Sequence, residues 1–202
     1  SLVLQPTVGG KSLCYQIPAL LMDGITLVVS PLIALMQDQV AALEVLGIDA
    51  AFLNSTLSYE KTKSIYARLS NGELKLLYVA PERLLQQQTL LRLQSINVSL
   101  IAIDEAHCVS QWGHDFREDY LSLGKLAGKF PGVARMALTA TATVEVREEI
   151  IDQLQLNNPL RLVANFDRPN IRYEVQTKVD AKRQLLGFLS DRMGEAGIVY
   201  CM

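Results

Sequence analysis

The sequence predicts an α/β domain in which a mostly parallel sheet is flanked by helices, and two observations support this class. Short apolar runs alternate along the chain with longer segments in which apolar residues recur at helical spacing. Turn-forming residues such as Gly47 and the pair Asn71-Gly72 end several of the helical segments. Strands separated by helices form βαβ units, which produce a parallel sheet covered by helices.

Each strand is predicted from a short apolar run, and each helix from apolar residues at helical spacing. The apolar runs predict strands at 2–5, 25–30, 50–53, 74–80, 98–103, 135–139 and 197–201. Helical spacing predicts helices near 11–22, 32–46, 58–70, 82–94, 119–129 and 143–155. In the second helix, for instance, Leu32, Met36 and Val40 share one face, while Gln37 and Asp38 point elsewhere. The chain contains no internal repeat and no low-complexity tract.

Composition limits the class of protein. The 202 residues are half hydrophobic and bear a net charge of −2, so any contact with nucleic acid must be a local patch. The widely spaced Cys14, Cys108 and Cys201 suit neither a disulfide framework nor a zinc site and favour reduced thiols in the cytoplasm. No apolar run reaches the roughly 20 residues that a membrane helix needs, and no signal peptide opens the chain, so no membrane partner is expected.

The patterns divide the chain into three parts. Residues 1–156 are expected to form the main domain, and 157–170 a connector that begins where Asn157-Asn158-Pro159 breaks the helical pattern. Residues 171–202 are expected to contain a strand at 171–175, a helix at about 181–193 and a final strand, which would be the start of a second domain. Because both ends resemble sheet strands, the chain is expected to be a fragment.

The segment Thr7-Val8-Gly9-Gly10-Lys11-Ser12 lies between a predicted strand and a predicted helix, as a phosphate-binding loop does. Backbone N–H groups of such a loop surround phosphate oxygens. Lys11 would reach the β- and γ-phosphates, and the Ser12 hydroxyl would bind Mg²⁺. Gln5 replaces the first glycine of the pattern, and the β-branched Val8 resists close approach of the backbone to a ligand. The alternative is a turn without a ligand.

Two acids follow the predicted strand 98–103. Asp104 would bind Mg²⁺, and Glu105 would orient the water that attacks the γ-phosphate. His107 could relay the nucleotide state, or it could be an ordinary residue at a helix start. Thr139 and Thr141 follow another strand and could bond the neighbouring acids. The alternative is that threonine at 141 or 143 caps the next helix.

A polar, aromatic loop follows the acids at 111–117. Its residues Trp112 and Phe116 offer faces for base stacking, and Arg117 can pair with phosphate or stack. The alternative, a core tryptophan under a loop, is less favoured because the other residues of the loop are too polar. Ser30 and Arg83 lie where strands lead into helices at Ser-Pro-Leu and Ala-Pro-Glu-Arg, and each helix start could hold a backbone phosphate.

Taken in order, these segments resemble the first motor domain of a RecQ-family DNA helicase, a superfamily 2 enzyme. The resemblance runs nearly end to end and includes the Asp-Glu-Ala-His box at 104–107, the loop at 111–117 and the connector Phe-Asp-Arg-Pro-Asn at 166–170. It implies a RecA-like P-loop NTPase fold followed by the first strand-helix-strand elements of a second such domain. It also implies ATP-dependent 3′→5′ translocation on single-stranded DNA and duplex unwinding in recombination and repair.

The resemblance further implies a role for each candidate residue. ATP would be bound by Thr7, Gly9, Gly10, Lys11 and Ser12, with Lys11, Asp104 and Glu105 acting in hydrolysis and Mg²⁺ on Ser12 and Asp104. DNA binding and its coupling to hydrolysis would fall to Ser30, Arg83, His107, Gln111, Trp112, His114, Asp115, Phe116, Arg117, Thr139 and Thr141.

The same resemblance sets expectations for partners and for what lies beyond the chain. Partners would be single-stranded and partly duplex DNA, with single-stranded DNA-binding proteins as further candidates. The protein would act in the cytoplasm, at the nucleoid in a bacterium, or in the nucleus of a eukaryote. Zinc would belong only to a C-terminal region absent here.

Without the rest of its second motor domain, the chain is expected to bind nucleotide weakly and not to unwind DNA. Val8 stands where the family has glycine. Two alternatives remain open, a non-catalytic nucleotide- or DNA-binding module with a decayed loop and an RNA helicase.

Overall fold

The computed structural model describes residues 1–6, 9–111, 115–165 and 170–200, which fall into two compact units divided between residues 166 and 167. Each unit is described by itself. Among the helices of these described ranges, none is both long and apolar enough to cross a membrane.

The first unit is built on a sheet of seven parallel strands in the order β3-β4-β2-β5-β6-β1-β7. The strands are β1 Leu2–Leu4, β2 Ile25–Val29, β3 Ala50–Leu53, β4 Leu76–Val79, β5 Val98–Ile103, β6 Ala134–Thr139 and β7 Arg161–Val163. The helices of this unit are α1 Leu13–Leu21, α2 Ile33–Val45, α3 Tyr59–Ser70, α4 Pro81–Leu84, α5 Gln87–Gln94, α6 Glu118–Leu121, α7 Leu126–Lys129 and α8 Val144–Gln153. The predicted α/β class with a parallel sheet is confirmed.

Helices bury both faces of the sheet. On one face, Leu27 and Ile101 belong to a cluster that includes Tyr120 of α6 and Ile150 of α8. On the other, alternate strand residues pack with helices α1 and α2 in a second cluster. Strands covered on both faces are apolar at nearly every position, which explains why the central strands were predicted as continuous apolar runs.

Parallel pairing brings the carboxyl ends of the strands to one edge of the sheet. Neighbours β5, β6 and β1 end side by side, with Leu4 paired to Thr139 in register. The segments after β1 and β5 therefore meet at this edge, although Lys11 and Asp104 are 93 positions apart in the chain.

Two predicted helices are interrupted. The helix predicted at 82–94 is divided into α4 and α5, with an extended residue at Gln86 between them. Leu84 and Leu93 are both fully buried, yet nine positions at about 100° each would place them on opposite sides of one continuous helix. The break allows both side chains to reach the core. The helix predicted at 119–129 likewise consists of α6, a 3₁₀ turn at Ser122–Lys125 and α7.

The segment expected to be a connector contains a strand. Arg161–Val163 forms β7, which pairs with β1 from Leu2↔Arg161 to Leu4↔Val163, so the sheet extends beyond the boundary predicted at residue 156. All three β7 residues are exposed, and the strand is short, so its apolar pattern was weak. Pairing with the edge of β1 stabilises it, and no local pattern could predict that contact. Residues 166–169 of the connector lie outside the described residues.

The second unit contains one helix in its described part, α9 Ala181–Ser190, as predicted near 181–193. The Asp180 side chain caps it by accepting a hydrogen bond from the Arg183 backbone N–H. The strands predicted at 171–175 and 197–201 are not formed at 171–175 or at 197–200. A strand needs a neighbour for its backbone groups, and these segments are instead exposed, with Val175 at 97%.

Candidate functional site

A buried cluster of three charges lies at the carboxyl edge of the sheet. The Lys11 Nζ is 3.1 Å from Asp104 Oδ1 and 2.8 Å from Glu105 Oε1. Lys11 and Asp104 are only 8% and 6% exposed, and Glu105 is half-buried. The two predicted motifs, the Lys-Ser loop and the Asp-Glu pair, therefore form one site.

Several backbone contacts hold the two acids in place. The Asp104 N–H donates to Val29 O of the neighbouring strand (2.9 Å), and the Tyr120 hydroxyl donates to Asp104 O (2.9 Å). Glu105 has a left-handed backbone conformation (φ 47°, ψ 44°), which is strained for a residue other than glycine, and its N–H donates to Asp104 Oδ1 (2.9 Å). This turn directs the Glu105 carboxylate toward Lys11.

Burial and neighbouring charge act in opposite directions on this cluster. Burial disfavours the charged form of Lys11, but Asp104 and Glu105 outweigh it, so the pKa of Lys11 is raised. Burial raises the pKa of Asp104, an effect that the Lys11 charge opposes. Pairing therefore outweighs burial at Lys11, whereas at Asp104 burial, together with the nearby Glu105 charge, outweighs the pairing with Lys11.

The loop before α1 needs glycine at two positions. Gly10 has a φ of +78°, and a Cβ on Gly9 would lie 2.7 Å from Gln5 Cγ. The Gln5 Nε2 donates to Gly9 O, so the residue that replaces the pattern's first glycine folds against the loop. Ser12 precedes α1, and its side chain forms no capping bond to that helix. Thr7 and Val8 lie outside the described residues, so their roles stay predictions.

His107 connects the acids to the neighbouring strand. Its Nδ1 is 2.9 Å from Thr139 Oγ1 and 3.4 Å from Glu105 Oε2. The Thr139 Oγ1 also lies 3.1 Å from Thr141 O, to which its hydroxyl donates. Thr139 was expected to bond the acids, and in the structure its side-chain partner is His107 instead. The predicted capping alternative is confirmed for Thr143, whose side chain accepts from Val146 N–H.

The aromatic loop is described only at its ends, because Trp112 and His114 lie outside the described residues. At its base, the Arg117 N–H donates to Cys108 O (2.9 Å) and the Arg117 Nη1 donates to Pro31 O (3.3 Å). The loop is therefore joined to the segment that follows β2. Gln111 and Asp115 are exposed and Phe116 is half-buried, and their contacts with DNA stay predictions.

Two contacts of this region were not predicted. Glu149 of α8 accepts from the buried Ser110 hydroxyl (2.6 Å) and contacts the Gln111 N–H (3.5 Å). In the sequence, Glu149 resembles any acid of a solvated helix face. The contact between Tyr120 and Asp104 could not be predicted from the sequence either, because a tyrosine that follows two acids has no distinctive pattern.

Ser30 and Arg83 occupy the edge at β2 and β4. Ser30 is 2% exposed, and its Oγ has no hydrogen-bond partner among the described residues. The Arg83 Nη1 donates to Gln86 Oε1 (2.9 Å), while its Nε is buried without such a partner. Both residues lie on the predicted side of the sheet, but the structure leaves their proposed phosphate contacts as predictions.

The donor set suits a nucleotide and a hard cation. Carboxylate and hydroxyl oxygens, here on Asp104 and Ser12, are the ligands that Mg²⁺ prefers. Lys11 supplies a compact positive charge that can exchange a carboxylate for a phosphate. Glu105 places a second carboxylate beside it, which could position a water.

Comparison with known proteins agrees with this geometry. Residues 1–150 match the family described as DEAD/DEAH box helicase. The chain is 49% identical over 201 residues to the ATP-dependent DNA helicase RecQ of Haemophilus influenzae, covering 100% of this chain and 32% of that protein. It is 46% identical over 200 residues to the RecQ of Bacillus subtilis, covering 98% of this chain and 34% of that protein. The chain thus spans about a third of the length of these relatives.

Solved structures share the fold. The helicase domain of Pyrococcus furiosus Hef has a TM-score of 0.62 and 21% identity, covering 84% of this chain and 35% of that one. The helicase Lhr of Mycobacterium smegmatis, bound to single-stranded DNA and AMP-PNP, has a TM-score of 0.62 and 23% identity, covering 82% and 24%. At these identities the comparison establishes the fold alone.

Proposed function

Because the chain belongs to the DEAD/DEAH box helicase family, we propose that it forms the ATP-binding motor of a RecQ-like, ATP-dependent DNA helicase. The principal support is the convergence of Lys11, Asp104 and Glu105 in one buried cluster. The direction, 3′→5′, and a role in recombination and repair rest on similarity to the relatives named RecQ.

In this proposal Lys11 exchanges its two carboxylate partners for phosphate oxygens of ATP. Mg²⁺, held by Asp104 and Ser12, would neutralise charge that develops on the phosphates. Freed from Lys11, the Glu105 carboxylate accepts a hydrogen bond from the attacking water and orients it. The glycines at 9 and 10, with Thr7, let backbone N–H groups approach the phosphates.

Nucleic acid would act on this site through two routes. His107 bonds Thr139 and contacts Glu105, so a movement of the β6 segment with Thr141 changes the surroundings of the catalytic carboxylate. Arg117 joins the base of the aromatic loop to Pro31, next to Ser30. A strand that binds Trp112, His114 or Phe116 would displace this loop and its attachments.

We further propose single-stranded and partly duplex DNA as ligands, with single-stranded DNA-binding proteins as partners. Two of the similar proteins support DNA, since their names describe DNA helicases. The corresponding place of action is the cytoplasm or nucleoid of a bacterium, or the nucleus of a eukaryote.

The substitution Trp112→Ala tests the coupling in the longest natural chain that contains these residues. We expect DNA-stimulated ATP hydrolysis to fall at least about tenfold, because a stacking contact of ~1–3 kcal/mol is lost. Binding of a fluorescent ATP analogue should stay unchanged. Loss of nucleotide binding would make Trp112 structural, and equal stimulation of the unsubstituted protein by RNA and DNA would contradict a DNA helicase.

One observation favours a second candidate, a binding module whose loop has decayed. Position 5, where the phosphate-loop pattern has glycine, is Gln5 in this chain, and its side chain donates a hydrogen bond to the Gly9 carbonyl. Titration of the ATP analogue into the chain and into a Val8→Gly variant distinguishes the two. Binding in the Gly variant alone would support decay, and similar binding in both would support a working site.

A further inference from the structure

A groove of about 470 Å³ lies between helices α3, α4 and α5. Its walls include Tyr59, Lys63 and Tyr66 of α3, Arg83 of α4 and Arg92 of α5. None of the motifs discussed above except Arg83 contributes to it.

The groove is cationic in a protein of net negative charge. Three cations, Lys63, Arg83 and Arg92, line it, and the lining contains no aspartate or glutamate. Among the described residues, no ion pair involves any of the three. Three unneutralised cations facing one concave surface repel one another, so a polyanion is the ligand class that this groove favours.

The side chains are already ordered in a way that suits an anion. The Arg92 guanidinium lies over the Tyr66 ring, 4.7 Å from its centroid, and the Tyr66 hydroxyl is 3.0 Å from Thr89 Oγ1. Arg83 is held by Gln86, and its buried Nε has no partner among the described residues. An arginine oriented before binding loses less conformational entropy when it contacts phosphate.

The groove is separate from the nucleotide cluster. Helix α4 follows β4, and β4 lies two strands from β5, the strand that Asp104 follows. At about 4.8 Å per strand, β4 and β5 are roughly 10 Å apart. Arg83 stands at the junction, since it belongs both to the proposed DNA-binding edge and to the wall of the groove.

We propose that the groove binds the backbone of single-stranded DNA that continues past Arg83, extending the strand's path beyond the sheet edge. The proposal rests on the proposed function, since it takes the strand from that site. Lys63 and Arg92 contact phosphates, and Tyr59, which is 77% exposed on the wall, stacks with a base. A strand suits the groove better than a mononucleotide, because the cations come from three helices and no glycine loop surrounds a single phosphate.

Fluorescence anisotropy with labelled oligothymidylates tests the proposal on this 202-residue chain. A strand of about 6 nucleotides should reach only the sheet edge, and one of about 18 should also reach the groove. We expect Lys63→Glu and Arg92→Glu each to weaken binding of the long strand about 3- to 10-fold, and to reduce the slope of log affinity against log salt by about 0.7. Binding of the short strand should be unchanged.

Lys61→Glu is the matched control. Lys61 lies on the same helix with the same charge, but two positions from Lys63, so it points to another side, where it lines a different pocket. If Lys61→Glu lowered the affinity for the long strand equally, the losses would reflect only the overall charge of the chain. That result would overturn the proposal that the groove binds DNA. Equal affinity of the unsubstituted chain for both strands would also overturn it, whereas the affinity for the short strand tests the proposed DNA site separately. If thymidine monophosphate abolished the difference in affinity between the long and the short strand, the groove would bind a mononucleotide. That result would overturn the proposal that it binds a DNA strand.

Discussion

Two halves of the same sheet edge satisfy their polar groups in different ways. At β5 and β1, the charged groups of Lys11, Asp104 and Glu105 pair with one another. At the ends of β2 and β3, two buried uncharged groups, Ser30 Oγ and Asn54 Nδ2, have no hydrogen-bond partner among the described residues.

The difference follows from the cost of burying each kind of group. An isolated buried charge costs far more than a buried hydroxyl or amide without a partner, so the charges of the nucleotide half must be paired even without ligand. Binding of ATP there is an exchange of partners. In the other half, unpaired donors can gain bonds when a ligand binds, provided that small movements expose them.

The largest effect is expected from Lys11→Ala. It leaves Asp104 and Glu105 adjacent without a cation, and removing one member of a buried pair typically lowers the free energy of unfolding by about 3 kcal/mol or more. Urea denaturation at pH 7, with Lys61→Ala as the exposed control, measures the difference. Because the pKa of Lys11 is raised in the folded state, its contribution should be present at neutral pH and be lost as pH rises above 10.5. An unchanged midpoint would mean that the cluster does not stabilise the fold.

An intermediate effect is expected at the base of the aromatic loop. A double-mutant cycle with Ser110→Ala, Glu149→Ala and both together should give a coupling energy of about 1.5 kcal/mol, because a hydroxyl donates to a charged acceptor at 2.6 Å. The cycle separates this bond from the other contacts of each residue. Additive single effects would show that Glu149 does not hold Ser110.

The smallest effect is expected from Ser30→Ala. Its hydroxyl is buried without a partner among the described residues, so its removal should not lower the free energy of unfolding and should raise it by no more than about 1 kcal/mol. Ser110→Ala provides a matched comparison, since that serine is also buried but has a partner. If both variants lost the same free energy of unfolding, the unpaired and the paired serine would contribute equally. That result would contradict the difference between the two halves of the edge.

Much of the fold was predictable because it depends on local pattern. The strands of the central sheet are long apolar runs, and most helices show clear spacing. Strand β7 and the break between α4 and α5 were not predicted. The first depends on pairing with β1, and the second on burying Leu84 and Leu93 together. The predictions of strands near 171–175 and 197–201 were wrong for the opposite reason. The apolar pattern is present there, but among the described residues no neighbouring strand pairs with these segments.

The candidate site divides in the same way. Lys11, Ser12, Asp104 and Glu105 could be identified because the types of residue and their positions after strands suit phosphate chemistry. Glu149 and Tyr120 could not, since each acts through a contact with a residue distant in the chain.

The sequence by itself determined the class of fold, the order of its central elements and the residues suited to bind nucleotide, because periodicity and residue type are local properties. Only the tertiary structure decided that Lys11 pairs with both acids, that His107 bonds Thr139, and that Lys63, Arg83 and Arg92 share one groove. Those contacts depend on strand order and helix packing, which bring together residues that no spacing along the chain relates.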